Sequence, residues 1–278
     1  MRTEFLTIFW RDMKKFFRSR AMLFTSLIQP ALWLALFGLS MSSNFDLIAP
    51  GVPNQQGVAS VSYLTFMAAG VISMTVLFTC LYSGISLQFD KQFGLMKEIV
   101  ASPLPRSRIL LGLSLSGVAK SLIQSVIIIL FGFILGVRFF EGFTIAQTIV
   151  SVFGIVLFIV LFALGLLFLA STVAMKLESH EGLQGIITLL SLPLFFASNA
   201  LYPIDSLPLA IKLVSYGNPL SYFITGMRYF SLGSNFYSVG AYYAYGTYDV
   251  LTALAFLLVF DIVMFLLALR AIKKAKVV

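Results

Sequence analysis

Gln88 to Gly112 reads Q-F-D-K-Q-F-G-L-M-K-E-I-V-A-S-P-L-P-R-S-R-I-L-L-G, the one long internal segment in which charges of both signs, a helix-like pattern and a proline stop occur together. Phe89, Phe93, Met96 and Val100 recur at helical spacing, while Asp90, Lys91, Lys97 and Glu98 take the remaining faces, which predicts a short amphipathic helix over 89–100. Ala101-Ser102-Pro103-Leu104-Pro105 ends it, because the residue before each proline is pushed out of the α region. By pattern alone such a helix is either a docking element for a soluble partner or an interfacial connector with solvated charges.

The surrounding chain decides the class. Of 278 residues 59% are hydrophobic and only 11% charged. With 28 Phe and a mean hydropathy of +0.98, that is far more apolar material than a water-soluble core of this length requires. The composition therefore predicts a multi-pass protein of the cell (plasma or inner) membrane. Nineteen Lys and Arg against eleven Asp and Glu leave a net charge of +8, which suits loops held in the cytosol and contact with anionic lipid headgroups. No basic patch lies within a soluble fold, so nucleic acid is not an expected partner. The single cysteine, Cys80, sits in an apolar run and reads as a buried, inert thiol.

Met1 to Arg20 sets Phe5, Ile8, Phe9, Met13, Phe16 and Phe17 at spacings near three and four, with six basic residues between them. This is the pattern of an amphipathic helix in the headgroup plane, apolar face down, and not of a cleavable signal. Six spans are expected to follow. The first runs from Ala21 to about Ser40 through Gln29-Pro30, and a polar, Lys- and Arg-free loop over 41–60 follows it. The second covers about Val61 to Leu87. The third ends near Val137, and the fourth runs from about Phe143 to Met175. The fifth, Leu183 to Ala200, contains Pro193, and the last is Asp249 to Leu269. Between the fifth and sixth, residues 201–248 are too broken to span, but their apolar patches suit interfacial or re-entrant helices.

Inside segments of this layout hold fifteen Lys and Arg and outside loops three, namely Arg138, Lys212 and Arg228, which favours both termini in the cytosol. No internal repeat is evident, an argument against inverted-repeat transporter folds. Two ionisable residues fall inside spans. Asp261 is near the middle of the last one, where a carboxyl usually faces a bundle interior or a water path. Lys120 either pairs with it at similar depth or, as the residues favour, snorkels to the interface. His180, between Glu178 and Glu181, has poor metal spacing and reads as part of a solvated turn. Tyr237, Tyr242, Tyr243, Tyr245 and Tyr248 read as an aromatic belt at the outer interface. No G-x-x-x-x-G-K-[ST] occurs and no cytosolic segment could form a nucleotide-binding domain. Nor is there a nucleophile, base and oxyanion set, so the chain is expected to be a transporter subunit and not an enzyme.

The string from Phe89 to Gly112 resembles the cytoplasmic coupling region of ATP-binding-cassette type-2 export permeases, matching it at Asp90, Lys91, Phe93, Gly94, Glu98, Ser102, Pro103, Arg106 and Gly112. A second stretch, Ser191 to Arg228, is similar to the family's outer segment at Ser198, Asn199, Tyr202, Pro203, Leu207, Pro208, Asn218, Pro219, Leu220, Tyr222 and Arg228. The resemblance covers essentially the whole chain. It implies an all-α permease of six spans, with a coupling helix at 89–100 and an outer gate or re-entrant segment at 201–248. It further implies two permease copies joined to two ATPase subunits that bind the ATP and magnesium, this chain itself holding no cofactor. The contact with the ATPase is assigned to Phe89, Asp90, Lys91, Phe93, Gly94, Met96, Lys97, Glu98, Pro103 and Arg106, with Phe93 and Met96 docking and Glu98 and Arg106 setting register. The Y-P-x-x-x-L-P turn at 202–208 places the chain nearest the drug-export branch, with an amphipathic drug-like or lipid cargo moving outward. A polysaccharide or lipid-linked glycan exporter of the same fold is the alternative. A carrier driven by an ion gradient through Asp261 is the competing class.

Overall fold

The computed structural model describes residues 4–48, 59–101, 104–202, 204 and 208–274. The chain is mostly helical. Helix α1 (Glu4–Arg18) leads into α2 (Arg20–Leu32), which contains Pro30. The run continues without a break through a π-helical segment, Trp33–Gly38, into α3 (Leu39–Ile48). Proline removes one helical donor and crowds the carbonyl four residues back, and the widened π turn that follows restores pairing, Trp33 donating to Gln29 and Pro30 carbonyls. The first helical segment therefore reaches Ile48, past the expected end at Ser40. Residues 49–58 of the expected loop lie outside the described residues.

Helix α4 (Tyr63–Gln92) is the hub: every residue from Tyr63 through Leu81 is buried. Its Ser and Thr hydroxyls hide their polarity by donating to carbonyls four residues back, as in Ser73 to Ala69 (2.7 Å) and Thr75 to Val71 (2.9 Å). Small residues let neighbours approach closely; a Cβ on Gly70 would lie 2.4 Å from the carbonyl oxygen of Ala200. Around α4 pack α6 (Arg106–Ile134), α7 (Ile145–Lys176), α8 (His180–Phe196) and α10 (Pro219–Leu232), with α11 (Thr247–Lys274) outermost along α7. Two short helices, α5 (Leu95–Ala101) and α9 (Leu209–Tyr216), lie in the connections after α4 and α8. Among the described residues four helices, α4, α6, α7 and α11, are long and apolar enough to cross a membrane.

The expectation of an all-α chain needs one correction. Strands β1 (Ala59–Ser60), β2 (Asn235–Ser238) and β3 (Ala241–Ala244) form a small sheet, β1 parallel to β2 and β2 antiparallel to β3. The two-residue turn Val239-Gly240 has positive φ at both positions (51° and 68°), as a tight hairpin requires. Tyr243 thus stacks on Phe236 (5.1 Å between centroids) and packs against Phe66 of the hub, so it belongs to a small core and not to an aromatic belt. Tyr242 and Tyr248 are exposed.

Candidate functional site

Phe89, Asp90 and Lys91 are the last turn of the hub and not the start of a separate helix. The chain breaks at Phe93-Gly94, where Gly94 adopts φ +78°, a region that favours glycine, and α5 begins at Leu95. Several of the residues assigned to partner contact are occupied within the chain. Gln88 donates to the carbonyls of Leu177 (3.2 Å) and Glu178 (3.0 Å), and Lys91 to Met175 (3.3 Å) and Leu177 (2.8 Å), which closes the open carbonyls at the end of α7. Arg106 does the same for α11, donating to Ile272 (2.8 Å) and Lys273 (2.7 Å). Met96 is buried. The face left open carries Phe89, Phe93 (76% exposed), Leu95, Lys97 and Glu98, with His180 stacked on Phe89 at 4.5 Å. Of the expected contact residues, Met96 is thus packed inside the chain and Arg106 is engaged at the end of α11, while Phe93, Lys97 and Glu98 are exposed together with Leu95. Pro103 lies outside the described residues. Among the described residues no group of three or more metal-ligating side chains converges, and His180 is half-buried against the hub's end.

Asp90 is buried and faces α1, paired with Arg11 (2.5 Å) and Lys15 (3.3 Å), and Lys15 also donates to Ser86 (3.0 Å). Beside it, Lys120 of α6 pairs with Asp12 of α1, both largely buried, and Ser116 donates to the same carboxylate. This overturns the snorkelling expected of Lys120, and also its pairing with Asp261: the ammonium has a fixed internal partner and lies 5.7 Å from the Phe16 ring. Burial alone would raise the Asp12 carboxyl, but the Lys120 charge and the hydrogen bonds from Lys120 and Ser116 outweigh it and bring it below its ordinary value. Helix α1 thus turns Ile8, Asp12, Met13 and Phe16 inward and packs chiefly against α6. Asp12 was legible in principle. It stands four residues from both Ile8 and Phe16, an acid on an apolar stripe.

Between α1, α2, α4 and α6 lies a cavity of about 390 Å³. Lys15, Ser19 and Ser86 stand at one end, Phe16, Phe78, Tyr82 and Ile85 form walls, and Gln29, Ser26, Thr79 and Gln124 lie at the other end. Thr79 donates to the Gln124 carbonyl oxygen, whose amide in turn donates to Ser26 at 2.6 Å. Ser26, Thr79 and Gln124 are thus linked to one another.

The outer residues do not converge on one point. Ser198 and Asn199 are buried in the turn after α8, where the Ser198 hydroxyl donates to the Phe195 carbonyl (2.6 Å) and accepts from the Ala200 amide (3.2 Å). Asn218 caps α10, with Pro219 behind it, and its amide reaches the Leu194 carbonyl (2.7 Å), tying α10 to the end of α8. Tyr222 donates to Tyr216 (2.8 Å) and stacks on Phe256. Tyr202 and Pro208 are exposed, and Pro203 lies outside the described residues. Arg228, counted above as a loop charge, is fully buried: its Nη2 donates to Ala200 (3.1 Å), its guanidinium lies 3.6 Å from the Phe66 centroid, and Nε and Nη1 have no hydrogen-bond partner. Asp261 is buried where α11 crosses α7 at Gly165, and its Oδ1 lacks a hydrogen-bond partner.

A bundle of long apolar helices around one buried hub, with an internal charge cluster at one end, is the build of a polytopic membrane protein. The chain belongs to the ABC-2 type transporter family, whose model matches residues 3–232. It is 31% identical over 254 residues to the transport permease ycf38 of Cyanophora paradoxa, covering 90% of this chain and 82% of that one. It is 23% identical over 236 residues (84% and 77%) to the daunorubicin resistance ABC transporter permease DrrB1 of Streptomyces coeruleorubidus. To the inner membrane transport permease YadH of Escherichia coli K12 it is 26% identical over 212 residues (76% and 77%).

Proposed function

We propose that this chain is the permease half of an ATP-driven exporter that moves an amphipathic, drug-like or lipid cargo outward, powered by separate ATPase subunits in a complex with two permease copies. The chain crosses the membrane six times with both ends in the cytosol. The helical run over 20–48, roughly 40 Å long, and α8, roughly 25 Å, join the four long helices. The carrying observation is the open apolar and charged face of Phe93, Leu95, Lys97 and Glu98. It is attached through one turn to a hub helix buried along most of its length. A partner that grips this face moves the hub as a rigid body, and the carbonyl clamps of Lys91 and Arg106 carry α7 and α11 with it. The drug-resistance name of one relative supports the drug-like cargo, and a lipid-linked glycan is the alternative within the same fold.

Reconstitution with the ATPase that co-purifies with the chain, and with daunorubicin as probe, tests the reading. Efflux that needs ATP and disappears with a catalytically dead ATPase supports it. Efflux driven by a pH gradient without any ATPase would sink it and favour proton carriage through Asp261.

A further inference from the structure

The five charged residues at the α1 end of the cavity do not cancel. Arg11, Lys15 and Lys120 face only Asp12 and Asp90, which leaves one positive charge. Lys120 is closed off by its pair with Asp12, whereas Lys15 is half-exposed, shares Asp90 with the much closer Arg11, and lines the cavity. Hydroxyls of Ser19 and Ser86 stand beside it. Away from this corner Phe16, Phe78, Tyr82 and Ile85 supply apolar and aromatic wall beside the polar Ser26, Gln29, Thr79, Ser83 and Gln124, and the volume falls within the range of about 300–1,000 Å³ typical of ligand sites. Both Lys15 and Gln29 are exposed, so the cavity reaches the protein surface between α1 and α2.

We propose that this cavity binds an amphiphile carrying one phosphate-type anion on an apolar tail, with the anion at Lys15, Ser19 and Ser86 and the tail against Phe78, Tyr82 and Ile85. One excess positive charge matches one phosphodiester, and charge-assisted hydrogen bonds from an ammonium and two hydroxyls are the usual way to hold it. An apolar tail meets walls that would otherwise need water. The site lies in a single chain and requires neither ATPase nor second copy. With α1 on the cytosolic side, as in the export reading on which this placement rests, the anion lies at the inner leaflet.

Phosphatidylglycerol with a photoactivatable group in its acyl chain, carried with the full-length protein in phosphatidylcholine nanodiscs, tests the site. Labelling of the segment containing Phe78, Tyr82 and Ile85 is expected, reduced about tenfold by Lys15→Gln and unchanged by Lys14→Gln, whose exposed lysine is on the same helix but outside the cavity. A photoactivatable phosphatidylcholine, with no net charge, should label less and ignore Lys15→Gln. Equal losses from both lysine variants would reveal unspecific surface attraction and overturn the proposal. Displacement of the lipid by excess glycerol phosphate would overturn it too, in favour of a soluble anion. The readout involves no cargo or ATP, so its failure leaves the export reading standing, and failure of ATP-driven efflux leaves the lipid site standing.

Discussion

Lys120 of α6 and Asp12 of α1 form a largely buried ion pair that fastens the amphipathic N-terminal helix to the bundle. Removing one partner strands the other charge. Asp12→Ala is expected to destabilise the protein by about 3–5 kcal/mol, and Asp12→Leu combined with Lys120→Met to recover most of the loss. The folded Asp12 carboxyl titrates below its ordinary value of 3.8, so its contribution is complete above that value and fades as pH falls through the lower folded one. Denaturant unfolding in detergent from pH 6 down to about pH 2 should find the wild-type advantage over Asp12→Asn shrinking only below about pH 4. A constant difference across that range would count against the pair.

Arg228 is held by one carbonyl and one ring, since Ala200 accepts from Nη2 and Phe66 lies under the guanidinium. Lysine keeps the charge but not the planar stack. Arg228→Lys and Phe66→Leu should each cost about 1–2 kcal/mol, and the double variant should cost less than their sum because both remove the same contact. Strict additivity in thermal or denaturant unfolding would mean that the stack contributes nothing.

Gly70 and Gly185 make a matched pair. A Cβ on Gly70 meets the backbone of Ala200 at 2.4 Å, which cannot swing aside, while one on Gly185 meets nothing within 4 Å. Gly70→Ala should cost about 1–3 kcal/mol by overpacking, and Gly185→Ala should be stabilising by about 0.4–1 kcal/mol, as in any open helix interior. The sign of the difference, read from unfolding midpoints, is the test.

The hub helix was legible because a continuous apolar run with few charges admits little else, but its C-terminal end was not, since the helix runs on to Gln92 through residues read as the start of the next helix. The break at Gly94 was not legible either. Phe89, Phe93, Met96 and Val100 keep helical spacing straight across it, and periodicity carries no information about φ. Lys91 and Arg106 read as surface charges because the carbonyls they close belong to α7 and α11, roughly 85 and 166 residues away. Tyr237 to Tyr245 read as a belt because the tyrosines that favour a membrane interface also favour strands. The polar stretch from Met41 suggested a loop, yet the helix continues through Ser42 and Asn44 to Ile48.

Phe93, just past the end of the hub, and Glu98 of α5 are exposed while Met96, also on α5, is buried, which separates docking from folding. Phe93→Ala with Glu98→Lys should weaken ATPase co-purification on the order of thirtyfold, the scale of an interface hot spot, and leave the unfolding midpoint of the permease nearly unchanged. Met96→Ala should do the reverse, lowering stability by about 2–5 kcal/mol with ATPase retention lost only in proportion to unfolded protein. Equal retention by both variants would move the partner's grip elsewhere.

Asp261 discriminates between energy sources. It is buried beside Gly165, with Oδ1 lacking a hydrogen-bond partner, and neither Lys120 nor any other described cation forms an ion pair with it. Asparagine has nearly the same shape and carries no titratable proton, so Asp261→Asn should preserve the packing of α11 on α7. With ATP as the driving force, efflux per hydrolysed ATP in proteoliposomes should match wild type. If protons drive transport through this carboxyl, the variant should abolish pH-gradient-driven efflux while still folding and binding its partner. Loss of efflux with ATP hydrolysis intact would give Asp261 a part in the cargo path itself, because a buried amide and a buried carboxyl then differ only in charge and proton exchange.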